Sequence, residues 1–396
     1  MKFKLTACAW ALAASLGAGV TGAALAQTQG VSKTEVLIGT IQDLSGPIAA
    51  YGKSSRNGMQ LMADEVNEQG GINGRKIKLI TEDSGYDPKK GVLATQKLAQ
   101  NDKIFAMVGV MGTPVAIAAM PILFEKNIPH ISPITAARQM YEPLHKLKYS
   151  FAATYYDQMR SVVQHMNKIK ADRKWCLIHQ DDDFGQEFLS GATDGLKAVG
   201  KTLVEKTSYK RGATEFSSQV QKMKGSGCDT LLMGTIIRET VGTMAEAKKI
   251  GWAPEFVGSS AAYTHLIHKL GGPLAEGFIA SHTVAHPYLD DASDKVRFWA
   301  SKYKTRFGEE PDVFSVYGYV IMDQTVKTLA KAGSNLTVES FVKALDSSTF
   351  APDMFGGDTA SYTPTKHLGS DKSRLSQIKN GKWAVISEYV GPEGKK

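Results

Sequence analysis

The residues of this chain whose types and spacing can do chemistry sit where apolar runs give way to turns. Gly109-Val110-Met111-Gly112-Thr113-Pro114 combines a glycine turn, a hydroxyl and a proline at the first turn of a helix. Free backbone N–H groups there, with the Thr113 hydroxyl, make an anion site that needs no buried cation. The same hydroxyl can cap the helix, and both roles can hold at once. Asp43-Leu44-Ser45-Gly46 and Ser132-Pro133-Ile134-Thr135 supply further hydroxyls and turns of the same kind.

Other groupings carry less. Asp181-Asp182-Asp183 can bind a cation, but adjacent carboxylates in a loop more often form a solvated turn. His265 and His268 fall in one helical stretch with His282 and His286 beyond, a spacing unlike a zinc signature and without a glutamate placed as general base. Arg238, at a strand end, can meet an anion or stand as a charge on the rim of a cleft. There is no Gly-x-Ser-x-Gly elbow, phosphate loop or dinucleotide fingerprint at a strand-to-helix turn. No metal, cofactor or catalytic machinery is expected.

The elements that position these residues alternate. Strands are predicted at 35–41, 76–82, 104–108 and 129–131, with helices at 54–68, 88–100 and 114–126 between them. The order then restarts, with helices at 157–169, 185–199, 216–224 and 239–250 and strands at 174–179, 202–207, 229–234 and 255–258. Such alternation requires crossovers, hence parallel sheets with helices on both faces, here in two successive α/β lobes. Helices at 292–307 and 312–332 follow, and the first lobe has the greater need of them. Open parallel sheets bind ligands at the carboxyl ends of their strands, which is where the hydroxyl-bearing turns fall.

The amino terminus carries Lys2 and Lys4, an apolar run from Leu5 to Val20 and the small-residue site Ala24-Leu25-Ala26. This is the pattern of a secretory signal peptide cleaved after Ala26. Glycines at 17, 19 and 22 and the absence of a charged stop-transfer flank weigh against a membrane anchor. Removing 26 of 396 residues leaves 370, more than one hydrophobic core usually supports, and no later stretch is apolar enough to span a bilayer. The formal charge falls from +8 to +6 when Lys2 and Lys4 go, and the remaining basic residues are interleaved with acids, which argues against nucleic acid as a partner. Only Cys176 and Cys228 then remain. In an exported protein the two can pair, but adjacent parallel strands rarely give unstrained disulfide geometry, which weighs against a bridge.

Taken together, Ser45-Gly46-Pro47-Ile48-Ala49-Ala50-Tyr51-Gly52, the run Asn67 to Arg75, Asp83 with Asp87-Pro88, Gly109 to Thr113, Ile131-Ser132-Pro133 and Asp183-Phe184-Gly185 resemble the leucine/isoleucine/valine-binding proteins. These are the periplasmic components of bacterial ABC importers for branched-chain amino acids and related solutes. The resemblance runs from about Val36 to the end in order and spacing. It implies two Rossmann-like lobes joined by three hinge strands crossing near Ala153, Thr283 and Ala351, with lobe 1 formed by 27–153 plus 284–350 and lobe 2 by 154–283 plus 351–396. It also implies closure around a ligand and a membrane permease as partner of a monomeric periplasmic protein.

In that family the ligand carboxylate is held mainly by lobe-one hydroxyls and backbone N–H groups. The matching positions are Gly112, Thr113, Pro133, Ile134 and Thr135, with Tyr51 beside them, and Phe184 stands where an aromatic residue often covers the ligand. Phe184 can equally be packing at a helix start. Members that take α-amino acids place an acid after the strand that here ends Phe256-Val257-Gly258; this chain has Ser259-Ser260-Ala261-Ala262-Tyr263. A second acidic position reads Tyr155-Tyr156 before Asp157, which can still supply the charge. A buried ammonium without a counter-charge is costly, so a carboxylate lacking an amine fits better. With Tyr155, Phe184, Ile236 and Ser260 around it, a hydrophobic or aromatic acid is expected. A branched-chain or other amino acid is the first alternative; a sensor serving a signalling receptor, or an enzyme on an α/β frame, are alternatives of other classes.

Overall fold

A computed structural model describes residues 28–393. The predicted leader and its cleavage site lie outside the described residues. The apolar, β-branched run Glu35–Gln42 forms β1, and it pairs in parallel with β2 (Lys76–Asp83) on one side and β3 (Ala106–Val108) on the other. Two short strands, β4 (His130–Ile131) and β5 (Lys148–Tyr149), complete an all-parallel sheet in the order β2-β1-β3-β4-β5. Helices α1 (Ala49–Glu68), α2 (Pro88–Gln96, running on as a π turn to Asn101) and α3 (Thr113–Glu125) make the crossovers. Helix α1 begins five residues before the predicted Ser54, because its N-cap, Ile48, offers no side-chain capping bond and so gives the sequence no start signal.

The second lobe repeats the plan. Helices α4 (Tyr155–Ile169), α5 (Asp183–Ala198), α6 (Ser217–Gly225), α7 (Ile237–Lys249) and α8 (His265–Gly271) alternate with β6 (Trp175–Gln180), β7 (Glu205–Tyr209), β8 (Thr230–Gly234), β9 (Glu255–Gly258) and β10 (Ile279–His282). After α9 (Asp294–Phe307), α10 (Val313–Ala332), α11 (Val338–Leu345) and a small pair of strands, β11 (Thr349–Phe350) and β12 (Ala360–Ser361), the chain returns as β13 (Arg374–Lys379) and β14 (Lys382–Val385). These last two join antiparallel, giving β14-β13-β10-β9-β8-β6-β7.

As expected, α10 attaches to the first lobe. It lies against α1 with the backbones almost touching: a Cβ on Gly58 would stand 2.0 Å from the Ser315 carbonyl oxygen, and one on Gly318 2.0 Å from that of Ser55. Glycine at both positions is therefore a packing requirement.

Two expectations need correction. The stretch 362–369, assigned to lobe 2, packs on the first sheet instead. Leu368 bridges Ser150 just past β5, and His367 stacks on Tyr149 at 3.9 Å between ring centroids. The third passage between sheets therefore lies between Gly369 and β13, well after Ala351. Cys176 and Cys228 are joined by a disulfide, with their Cα atoms 5.9 Å apart. Cys176 lies in β6, but Cys228 lies two residues before β8, outside the ladder, so the pairing avoids the geometry that disfavours bridges within parallel sheets.

Candidate ligand-binding site

The site is built at the carboxyl ends of β1, β3 and β4, where the first lobe faces the second. Asp43 is buried and its carboxylate accepts N–H bonds from Ser45, Gly46 and Ile48, folding the Ser-Gly-Pro turn and starting α1. That start sets Tyr51 into the interface. Its ring stacks on Phe314 of α10 at 3.6 Å, and its hydroxyl donates to the Ala261 carbonyl of the other lobe at 2.9 Å. Burial raises the Tyr51 phenol far above its ordinary range, so it stays a neutral donor.

Gly112 has a φ of +90°, and a Cβ there would lie 2.4 Å from the Tyr86 ring. Only glycine fits the turn into α3. Thr113 is the first helical residue, not the cap: the N-cap is Gly112, and the Thr113 hydroxyl shares a 2.6 Å hydrogen bond with that of Thr135. The amides of Thr113 and Val115 lie in the first turn of α3, where no intrahelical acceptor exists. The segment Pro133-Ile134-Thr135 is held by Ile134 N–H donating to Val110 O at 2.8 Å and Gly112 N–H to Ile134 O at 3.2 Å.

A small cavity of about 30 Å³ lies between the lobes. Ile134 and Thr135 line it from the first lobe, Tyr155, Gln158, Ser260 and Ala261 from the second, and Phe314 with Tyr317 from α10. The connecting chain itself, Ser150 to Ala153 and Thr283, forms a further wall, with Ala136 beside Thr135. No carboxylate and no basic side chain lines it among the described residues. Tyr51, Gly112, Thr113 and Pro133 stand behind the wall on the first-lobe side. On the other side Phe184 packs edge-on to Tyr155 at 5.2 Å and to Phe188 at 4.9 Å, while Ile236 is the buried N-cap of α7.

A family description reading "Periplasmic binding protein" matches residues 35–382. The chain belongs to the periplasmic binding protein family. An amino acid binding protein from Pseudomonas aeruginosa is 26% identical over 325 residues, covering 80% of this chain and 85% of that protein. Among solved structures, a fatty acid ABC transporter substrate-binding protein from Thermomonospora curvata superposes with a TM-score of 0.83 at 23% identity, covering 93% of this chain and 95% of that one. A branched chain amino acid ABC transporter protein from Thermus thermophilus with bound valine gives 0.80 at 16%, covering 91% and 97%.

In this periplasmic binding protein the acids Asp157, Asp181 and Asp182 are engaged elsewhere. Asp157 accepts from the Thr154 hydroxyl at 2.9 Å and faces Arg160 at 3.8 Å. Asp182 caps α5, accepts from Gln180 and pairs with Arg211 at 2.8 Å; Asp181 pairs with Lys210. Arg238 is exposed on the surface. His265, His268 and His286 stand near one another, whereas the His282 ring binds Ser376 and the Val284 carbonyl.

Several contacts between the lobes and along the cavity were not foreseen. Arg211 lies over the Tyr86 ring at 5.0 Å, and Arg138 of the first lobe reaches Glu187 of α5. Gln158, one turn after Tyr155, shares its helix face, so the i, i+3 spacing held the signal. Phe314 and Tyr317 repeat that spacing on α10, directly after the capping residue Asp312.

Proposed function

We propose that this chain is the periplasmic solute-binding component of an ABC importer and that it captures a small hydrophobic or aromatic carboxylate lacking an α-ammonium group. The observation that carries the reading is the composition of the cavity wall. Hydroxyls, one amide and aromatic rings line it without any acid, and the position after β9 where the resemblance places a counter-charge is Ser260. In the wider cleft that a ligand needs, its carboxylate reaches the hydroxyls of Thr135 and of Thr113 behind it and the first-turn amides of α3, and its apolar body lies among Tyr155, Phe314 and Tyr317.

The cavity holds little more than a water or two, since a water needs roughly 10–15 Å³ of such space. An organic acid therefore enters only if the lobes part at the three connections and then close over it, and a permease receives the closed form. Export by the amino-terminal leader and action as a monomer complete the reading. Among the described residues no helix is long and apolar enough to cross a membrane.

A second reading, an amino acid as ligand, has one specific observation in its favour. Glu239, in the first turn of α7, is buried, and burial pushes its carboxyl up; it has no ion-pair partner within 4.0 Å among the described residues, and its charge is felt by Tyr51. It does not line the cavity.

Native mass spectrometry of freshly purified protein separates the two readings. A co-purified organic acid without nitrogen supports the first, a co-purified amino acid the second, and a chemically altered product recovered after incubation with ligand overturns both.

A further inference from the structure

We infer that Gln158 is the residue that excludes ammonium-bearing ligands, by closing the second-lobe end of the cavity with a saturated, neutral amide. The inference rests on the carboxylate reading above and assigns its selectivity to one side chain. Gln158 is fully buried in α4 and lines the cavity. Its Nε2 donates to the Ala153 carbonyl at 2.8 Å and to the Ser260 hydroxyl at 3.0 Å, and its Oε1 accepts from the Ser260 backbone N–H at 2.9 Å. The orientation of the amide is fixed by its neighbours, because a backbone N–H can only donate and a carbonyl can only accept.

The consequences run to the ligand. Both Gln158 N–H groups are engaged, so the two oxygens that a ligand ammonium would seek here, Ala153 O and Ser260 Oγ, each already accept one hydrogen bond and keep only a second lone pair. The Ser260 hydroxyl, accepting from Gln158, keeps its own hydrogen to give. This end of the cavity thus presents a donor and no free charge, and it suits an acceptor or an apolar group. An ammonium placed there would lose its hydration and meet neutral oxygens already shared with Gln158, with no carboxylate in the lining among the described residues to balance its charge. The same contacts tie Ala153, on the connecting chain, to the Ser260 loop, so the wall is fixed before a ligand arrives.

Two substitutions test this. Gln158→Glu keeps the shape, supplies a negative charge and leaves Ala153 O facing a second acceptor, which a ligand ammonium can bridge. Gln158→Met keeps the bulk, removes both donors and frees Ala153 O and Ser260 Oγ. The probes are leucine and 4-methylpentanoate, which differ only by the α-ammonium, measured by calorimetry on the full mature chain with thermal melting as the check of folding. The unmodified protein is expected to prefer 4-methylpentanoate. Each folded variant is expected to move the ratio of the two affinities toward leucine by at least tenfold, Gln158→Glu more than Gln158→Met. An unchanged ratio in a folded variant, while the unmodified protein still prefers the acid, overturns the assignment to Gln158 alone. Tighter leucine binding by the unmodified protein, or no binding of leucine, 4-methylpentanoate or benzoate, overturns the carboxylate reading and the inference with it.

Discussion

Arg138, on the turn after Thr135, and Glu187, in α5 of the other lobe, form a two-pronged ion pair across the cleft. The Arg138 backbone N–H donates to Glu187 Oε2 at 3.0 Å, and its side-chain Nε donates to Oε1 at 3.0 Å. Glu187 is 3% exposed, and burial pushes its carboxyl above the ordinary range although Arg138 opposes the shift. The Arg138 guanidinium also covers the Tyr156 ring at 3.9 Å. These contacts join the lobes beside the cavity, and a parting of the lobes would break them. Arg138→Ala removes charge-assisted hydrogen bonds of about 1.5–3 kcal/mol from the closed form, so ligand affinity should fall roughly tenfold or more. X-ray scattering should show a larger radius of gyration for the variant at a ligand concentration that closes the unmodified protein. Equal radii and equal affinities would remove this pair from the closing mechanism.

Thr113→Ala should weaken every carboxylate ligand alike, by about 1.5–3 kcal/mol for one charge-assisted hydrogen bond. Because the Thr113 and Thr135 hydroxyls share a bond, Thr135→Ala should cost a similar amount and the double substitution less than the sum. A thermal-shift screen of organic acids reads this directly, since ligand at about 100 times Kd adds ~2.7 kcal/mol to the stability of the unmodified protein.

Acid should destabilise the fold through histidines buried in neutral form. Burial, with Lys148 adding to it, lowers His130 to about 3, and burial with Arg374 lowers His282 to about 3. Unfolded histidine titrates near 6.5, so between about 6.5 and 3 the unfolded state binds the extra protons and stability falls as pH falls, by up to ~1.4 kcal/mol per pH unit for each group. Asp312 opposes this over a narrower window. Burial raises it to about 6, so its contribution grows as pH drops from about 6 to 4. The histidines prevail because two groups act over the wider range. Both ring nitrogens of His130 lack a hydrogen-bond partner among the described residues, so His130→Leu should preserve or raise stability at pH 7, with an advantage that widens on acidification. Denaturant melts at pH 7, 5.5 and 4 check the sign, and a constant difference between the proteins would contradict it.

Reduction of the Cys176–Cys228 bridge, which spans 52 residues, should lower stability by about 4 kcal/mol on the chain-entropy account. Cys176→Ser with Cys228→Ser should show the same loss without reductant. Ligand selectivity should not change, because neither sulfur lines the cavity.

Much of the frame was legible because its signals are local. The runs that became β1, β6 and β8 are apolar and bounded by turns, and the Gly112-Thr113-Pro114 start of α3 states its own geometry. The missed features are those fixed by partners distant in sequence. Gln158 is one polar residue among several on α4 until Ser260, 102 residues away, supplies its bonds. Arg138 and Glu187 lie on different lobes, and nothing local marks either. The stretch 351–369 has short strands and turns that fit either lobe, and partners distant in sequence, Tyr149 and Ser150, place its end on the first sheet. Thr113 illustrates a partial success: its position at the helix start was foreseen, whereas its bond to Thr135 depended on how β4 ends.

The central claim, that the cleft accepts a carboxylate and rejects an ammonium, is tested most directly by titrating the unmodified mature protein, freed of co-purified solute, with 4-methylpentanoate, benzoate and leucine in a calorimeter at pH 7. The account predicts saturable binding of at least one of the two acids and leucine binding at least tenfold weaker than the better of them. Leucine binding tighter than either acid would contradict it, and would turn attention to Glu239 as the group that holds the amine.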